Sequence, residues 1–154
     1  MGIIFAGIIA CLAMDIFQRL QLFTFALPPS NWAVVGRWAF HVLRTARLHQ
    51  PAIENAAEIR GEQAFGWIVH YSTGIGYAVV YAGCMKTGLL TASFSDGLIF
   101  GVLSVIVPWF FFLPVMGKGI MGKHTPNPPK VCVLALANHC VFGLGMAAGF
   151  QLSF

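Results

Sequence analysis

The chain has 154 residues, 58% of them hydrophobic and only 9% charged, with a mean hydropathy of +0.78. Ordinary soluble domains carry roughly a quarter charged residues, so this composition excludes a soluble globular fold and places the chain in the membrane class. The formal net charge of +4 is spread over connecting segments with no basic groove, which excludes nucleic acid as a partner.

Residues 2–23 read as a first membrane span. No Lys or Arg precedes the apolar run and no small-residue cleavage site comes after it, so the span is expected to be retained. Pro28-Pro29 close it. Residues 31–48 mix Trp32, Val34, Val35, Trp38, Val42 and Leu43 with Arg37, Arg44 and Arg47, and Ser30 is the expected N-cap. That mixture suits an amphipathic helix in the membrane interface with arginines toward phosphates. A polar stretch, residues 50–62, leads into a second span over residues 63–85. Residues 94–116 form a third, ended by Gly117-Lys118-Gly119, and residues 129–152 a fourth, opened by Pro129. Each is near the roughly 20 residues that cross about 30 Å of hydrocarbon. The expectation is one all-α domain, an integral membrane four-helix bundle with an interfacial helix between spans one and two.

Positive residues set the orientation. Arg19, Arg37, Arg44, Arg47, Arg60, Lys118, Lys123 and Lys130 lie on one side and Lys86 on the other, eight against one. The bias puts both rich connections in the cytoplasm and both termini in the periplasm of a bacterial inner membrane. Cys11, Cys84, Cys132 and Cys140 form no C-x-x-C pair and read as small buried apolar residues.

Three spans carry a polar group flanked at four-residue intervals by small residues. The stripes are Gly7, Cys11, Asp15 and Arg19; Gly66, His70, Gly74, Ala78 and Ala82; and Ala135, His139, Gly143 and Ala147. Residues four apart share a helix face, and small residues let helices approach closely, so these faces are expected to pack against protein. Span three adds Gly97, Gly101, Ser104 and Pro108. Pro108 cannot donate to residue 104, which frees a carbonyl there. At 1.5 Å per residue, His70 and His139 lie about 12 and 15 Å inside their spans. Asp15, His70 and His139, with Asn138 and Ser104 nearby, are therefore expected to form one buried site.

Ionisable groups inside a span are costly and serve as functional-site candidates. Asp plus two His suits a proton relay or a site for a small polar solute. The same three could hold a divalent metal, or the two histidines a haem, although no local metal motif is present and no cofactor is required. The bland alternative is that these groups only hydrogen-bond helices together. Arg37 has two readings, an anion or lipid-phosphate contact or partner for Glu62, and one more positive-inside arginine. No nucleophile elbow or phosphate loop accompanies the serines and glycines, so an enzyme is not the favoured class.

With these residues laid out, the chain resembles an uncharacterised bacterial family of small four-span inner-membrane proteins, DUF-2938. The resemblance rests on Met14-Asp15, Leu27-Pro28-Pro29-Ser30-Asn31-Trp32-Ala33, Gly36-Arg37-Trp38, Gly61-Glu62, Gly66-Trp67 with His70-Tyr71, Gly117 with Gly119, Thr125-Pro126-Asn127-Pro128, and His139 followed by Phe142-Gly143-Leu144-Gly145. Leu113-Pro114 departs from it, standing where Gln-Pro is expected. The resemblance implies fold and membrane placement and no activity. Three functions are compatible with the residues: a small transporter or channel-like protein, an accessory subunit of a larger complex, and an intramembrane metal- or haem-dependent enzyme. Four spans enclose little space, so the first implies a homo-oligomer or a groove at an interface.

Overall fold

The structure is a computed structural model and describes residues 1–51 and 53–153. All regular structure among them is helical: α1 (Gly2–Phe25), α2 (Trp32–Thr45), α3 (Glu62–Lys86), α4 (Phe94–Ser104), α5 (Leu113–Val115) and α6 (Pro128–Leu152). A π-helical stretch, Pro108–Phe112, precedes α5, and 3-10 turns occupy Ile53–Asn55 and Ile120–Gly122.

The punctuation is local chemistry. After α1, Ala26 turns left-handed (φ 52°) and its N–H and that of Leu27 bond back to Leu22 and Gln21, ahead of the two prolines. The Asn31 side chain accepts from Val34 N–H at 3.3 Å and opens α2, so the cap is Asn31 rather than Ser30. Asn127 does the same for α6, accepting from Lys130 N–H at 3.1 Å beside Pro128 in the first turn.

Among the described residues, three helices are long and apolar enough to cross a membrane: Gly2–Phe25, Phe94–Val115 and Pro128–Leu152. α3 has 25 residues but is not among them. Its length matches the expected second span; its make-up does not, because His70, Tyr71, Tyr77, Tyr81 and four glycines dilute the apolar residues. The apolar helices carry exposed hydrophobic side chains, among them Ile4, Leu12, Ile16 and Leu20 on α1 and Leu98, Ile99, Val102 and Leu103 on α4. A surface of that kind is adapted to hydrocarbon rather than water.

Contacts divide the chain into two compact units. The first comprises Met1–Ser30, Tyr71–Ser104 and Leu136–Phe154. Here four helical segments meet through small residues. A Cβ added at Gly7 would lie 2.8 Å from the backbone of Ile75, and one at Gly149 would lie 2.6 Å from Ala6 Cα. Gly97 and Gly143 pack backbone to backbone: a Cβ at Gly97 would stand 2.5 Å from the Gly143 carbonyl oxygen. The tyrosines of α3 fill the interior. Tyr81 is fully buried, stacked on Phe150 of α6 at 5.4 Å and edge-on to Phe100 of α4 at 4.9 Å, with its hydroxyl donated to Thr91 O at 2.7 Å. Such ring pairs contribute about 0.5–1.5 kcal/mol each beyond area burial.

The second unit comprises Asn31–His70 and Val105–Ala135. Its core is Val34, Trp38, Ala39, Ile53 and Met116, joined by Phe65, Val69, Phe112 and Val115. The long connection is tied down by backbone: Gln50 N–H donates to Val115 O at 2.7 Å and Trp38 Nε1 to Leu48 O at 2.8 Å. In α2, Gly36, Arg37, Trp38 and Ala39 are all buried, so the middle of the helix is enclosed by protein. The cause is Gly36, which lets α2 press against the first turns of α3: a Cβ there would fall 2.7 Å from Gly66 N. Only the C-terminal end of α2 and the residues just beyond it, with Arg44 and Arg47, stay exposed.

Candidate functional site

The small-residue stripe of α3 faces protein as expected: Gly66, His70, Gly74 and Ala78 are buried in succession. On α6 the stripe is half-buried at Ala135 and His139 and buried at Gly143 and Ala147. On α1 the buried face runs instead through Gly7, Cys11, Met14 and Gln18, while Arg19 is exposed and Asp15 is intermediate. The expected α1 stripe thus holds for its first two members and is one residue out of phase below them.

Within the first unit two polar clusters form. Asp15 Oδ2 accepts a hydrogen bond from the Tyr71 hydroxyl at 3.0 Å, joining α1 to α3. Farther along α3, Ser104 is a junction of three helices. Its carbonyl, freed because Pro108 has no N–H, accepts from the Tyr77 hydroxyl at 3.1 Å. Its Oγ donates to Gly101 O at 2.8 Å and lies 2.7 Å from His139 Nδ1. A serine hydroxyl has one hydrogen, so with that hydrogen on Gly101 O the His139 Nδ1 carries the proton and donates. Tyr71 and Tyr77 are six residues apart, which sets the clusters about 9 Å apart along α3.

Sequence reasoning missed Tyr71, Tyr77 and Gln18. For the tyrosines the signal was present: an aromatic ring with a polar tip inside a span needs a partner for that tip. Gln18 carries no charge to mark it, although it stands at i+7 from Cys11 and i+4 from Met14. It is 3% exposed, and its Oε1 accepts from Ser30 N–H at 2.7 Å. Its Nε2 is buried without a hydrogen-bond partner, as is Asn138 Oδ1.

His70 belongs to the second unit and is 6% exposed there. Its ring stacks on Trp32 at 4.0 Å with 22° between planes and meets Trp67 edge-on at 5.7 Å. Among the described residues no group of three or more His, Cys, Asp or Glu is placed so that it could hold a metal ion.

Arg37 is 5% exposed and forms a two-pronged ion pair with Glu62, Nε to Oε2 at 2.8 Å and NH2 to Oε1 at 2.7 Å. Its third nitrogen donates to the carbonyls of Ala56, Glu54 and Ile53 at 2.8, 3.3 and 3.4 Å. Glu62 Oε2 in turn accepts from Ile59 N–H at 2.8 Å. The fork geometry is what guanidinium supplies and ammonium does not. Of the two functional partners considered for Arg37, Glu62 is the one present.

Donating to the Glu62 carboxylate raises the Arg37 pKa, and accepting from Arg37, aided by Ile59 N–H, holds the Glu62 carboxyl down at about 2 against an ordinary 4.5. A depressed carboxyl stabilises the fold fully above its unfolded pKa and loses that contribution as pH falls through the folded one. The wild-type melting temperature in detergent is therefore expected to fall between pH 4.5 and 2. Glu62→Gln, less stable at neutral pH, should show a shallower decline over that range. Parallel pH profiles for the two proteins would remove the pair as the cause.

Over residues 4–152 the chain matches the model of a family described as protein of unknown function (DUF2938). No curated protein and no solved structure matches it.

Proposed function

The chain belongs to the DUF2938 family, and on that premise we propose that it is a four-span protein of the bacterial inner membrane that binds a proton or small polar solute inside the bilayer. In this reading α3 is the remaining span, shielded by the three apolar helices. The arginine-rich and lysine-rich connections face the cytoplasm and both termini the periplasm. The observation that carries it is the Asp15 carboxylate, placed within an apolar helix and held by a tyrosine hydroxyl from a neighbouring one. Ionisable residues at membrane depth mark ion pathways and proton relays. His139, seated on Ser104 under the Tyr77 ring, is the second titratable member of the same unit. His70, in its tryptophan setting, is a third candidate, and Asn138 and Ser104 supply uncharged polar contacts.

Proteoliposomes test this directly. A pH-driven flux reported by an internal dye is expected for the wild type, with at least about a tenfold loss on Asp15→Asn. Tyr71→Phe should reduce it less, since the carboxylate remains. Flux unchanged by Asp15→Asn in folded protein would remove the relay reading.

The accessory or oligomeric reading has its own observation. Gly76 and Gly83 lie on an exposed face of α3, and a Cβ at either would meet nothing within 4 Å. Close helix pairing with a second copy or another membrane protein is the use such a face has. Mass analysis after gentle solubilisation should find a homo-oligomer or an unlike partner, dispersed by Gly76→Leu.

A further inference from the structure

The second unit carries the molecule's charge. It holds seven of the nine Lys and Arg residues and three of the five carboxylates, so the whole formal net charge of +4 lies in it. Arg37 is paired with Glu62, and Lys118 with Glu54 at 2.8 Å. The other five cations are all exposed, and Glu58 is the remaining carboxylate of the unit. Two of the five, Arg47 and Lys123, lie on segments that are tied together. Arg47 O accepts from Gln50 Nε2 at 2.8 Å, Gln50 N–H donates to Val115 O at 2.7 Å, and His49 Nδ1 lies 3.1 Å from Pro114 O. Beyond Val115 the chain turns, and His124 N–H donates back to Lys118 O at 2.9 Å. Leu48, Ile120 and Met121 are exposed on the same segments. Ile120 and Met121 stand on a knuckle where Gly119, Met121 and Gly122 all have left-handed φ, at 74°, 52° and 71°. The Cβ of Met121 disfavours that conformation, and its carbonyl is held there by Cys132 Sγ at 3.2 Å. Strain maintained to present an exposed apolar side chain points to a use outside the fold.

We propose that this patch docks on anionic phospholipid headgroups, with Leu48, Ile120 and Met121 at the acyl boundary and Arg47 and Lys123 on phosphates. Position selects lipid over another protein. The knuckle lies on residues 116–127, the short connection between two helices apolar enough to cross a membrane, Phe94–Val115 and Pro128–Leu152. Charge selects anionic lipid over zwitterionic. Phosphatidylcholine carries its phosphate together with an ammonium that the cations repel, whereas phosphatidylglycerol carries the phosphate without one. Apolar side chains interleaved with cations are how interfacial segments hold anionic membranes. The inference rests on the membrane placement proposed above and does not require the protein to bind a proton or solute.

Thermal unfolding of the full-length protein in maltoside micelles tests it, with phosphatidylglycerol or phosphatidylcholine of the same acyl chains added. Phosphatidylglycerol should raise the melting temperature by about 3 °C or more and phosphatidylcholine should not, and the difference should shrink at about 0.5 M salt. Arg47→Gln combined with Lys123→Gln should reduce the phosphatidylglycerol effect by about half or more. Because both side chains are exposed, that variant should melt within about 2 °C of wild type in plain micelles. Met121→Gly relieves the left-handed strain, so it should weaken the lipid effect without lowering stability in plain micelles. Equal shifts by both lipids, which would leave the patch to a protein partner, overturn the proposal. So does a phosphatidylglycerol shift untouched by the double charge variant. If a variant fails to fold, the comparison of the two lipids on the unaltered protein decides. Protein that stays monodisperse without detergent would instead remove the membrane placement, and a failed flux assay leaves the lipid result untouched.

Discussion

Arg37→Ala is expected to abolish recovery of folded protein in mild detergent. The substitution does more than delete a bond: it leaves the buried Glu62 carboxylate without its countercharge and strips the carbonyls of Ile53, Glu54 and Ala56 of their donor. Breaking one side of a buried pair is far more damaging than replacing both sides by apolar groups. Two further variants separate this cause from simple loss of volume. Arg37→Lys keeps the charge but cannot make the fork, and should recover little. Arg37→Met combined with Glu62→Leu removes the unpaired charge and should recover more folded protein than Arg37→Ala, though less than wild type, because the three carbonyls still lose the guanidinium donor. Size-exclusion profiles of the three variants check the order. Wild-type behaviour of Arg37→Lys would show that the geometry of the clamp is immaterial.

Gly143→Leu is expected to be the most damaging apolar substitution in the first unit. A Cβ at Gly143 would sit 2.8 Å from Gly101 Cα and closer still to the carbonyl oxygen of Gly97. Both obstacles are backbone, so no side chain can swing aside and α4 and α6 must separate. Overpacking of this kind costs about 1–3 kcal/mol and more where the neighbours are rigid. For a chain of this length that is on the order of 10 °C in melting temperature. Separation would also pull His139 from Ser104, so Tyr77 and His139 should change environment together in aromatic NMR or ultraviolet difference spectra. Gly76→Leu provides the contrast, since it meets open space and should leave the monomer's stability nearly unchanged.

The helices were legible because hydropathy and the Pro and Gly signals act locally: α1, α3 and α6 begin and end within two or three residues of where the sequence puts them. So was the carbonyl freed by Pro108, since a missing N–H is a property of one residue. The burial of α2 was not. Its apolar and basic residues satisfy an interfacial helix as well as a buried one, and the difference lies in Gly36 meeting Gly66 thirty positions later. Asp15 and His139 stand out in the sequence as ionisable residues in apolar runs, whereas their partners Tyr71 and Ser104 are set by which helices adjoin, and single-helix periodicity does not specify neighbours. The turn of phase on α1 that hid Gln18 has the same origin. A helical stripe can be drawn through either of two adjacent faces, and only the packed neighbour selects one.

The make-up of α3 bears on how such a chain is made. From Tyr71 onward its packed side chains find their places against α1, α4 and α6, through Ile75 beside Gly7, Tyr77 on the Ser104 carbonyl and Tyr81 between Phe100 and Phe150. A segment of that kind partitions weakly into hydrocarbon on its own. During synthesis α1 has emerged before it and α4 and α6 have not. In the proposed four-span reading, stable residence of α3 in the bilayer waits on residues translated later, and a nascent chain truncated before α4 should expose α3 to quality-control proteases.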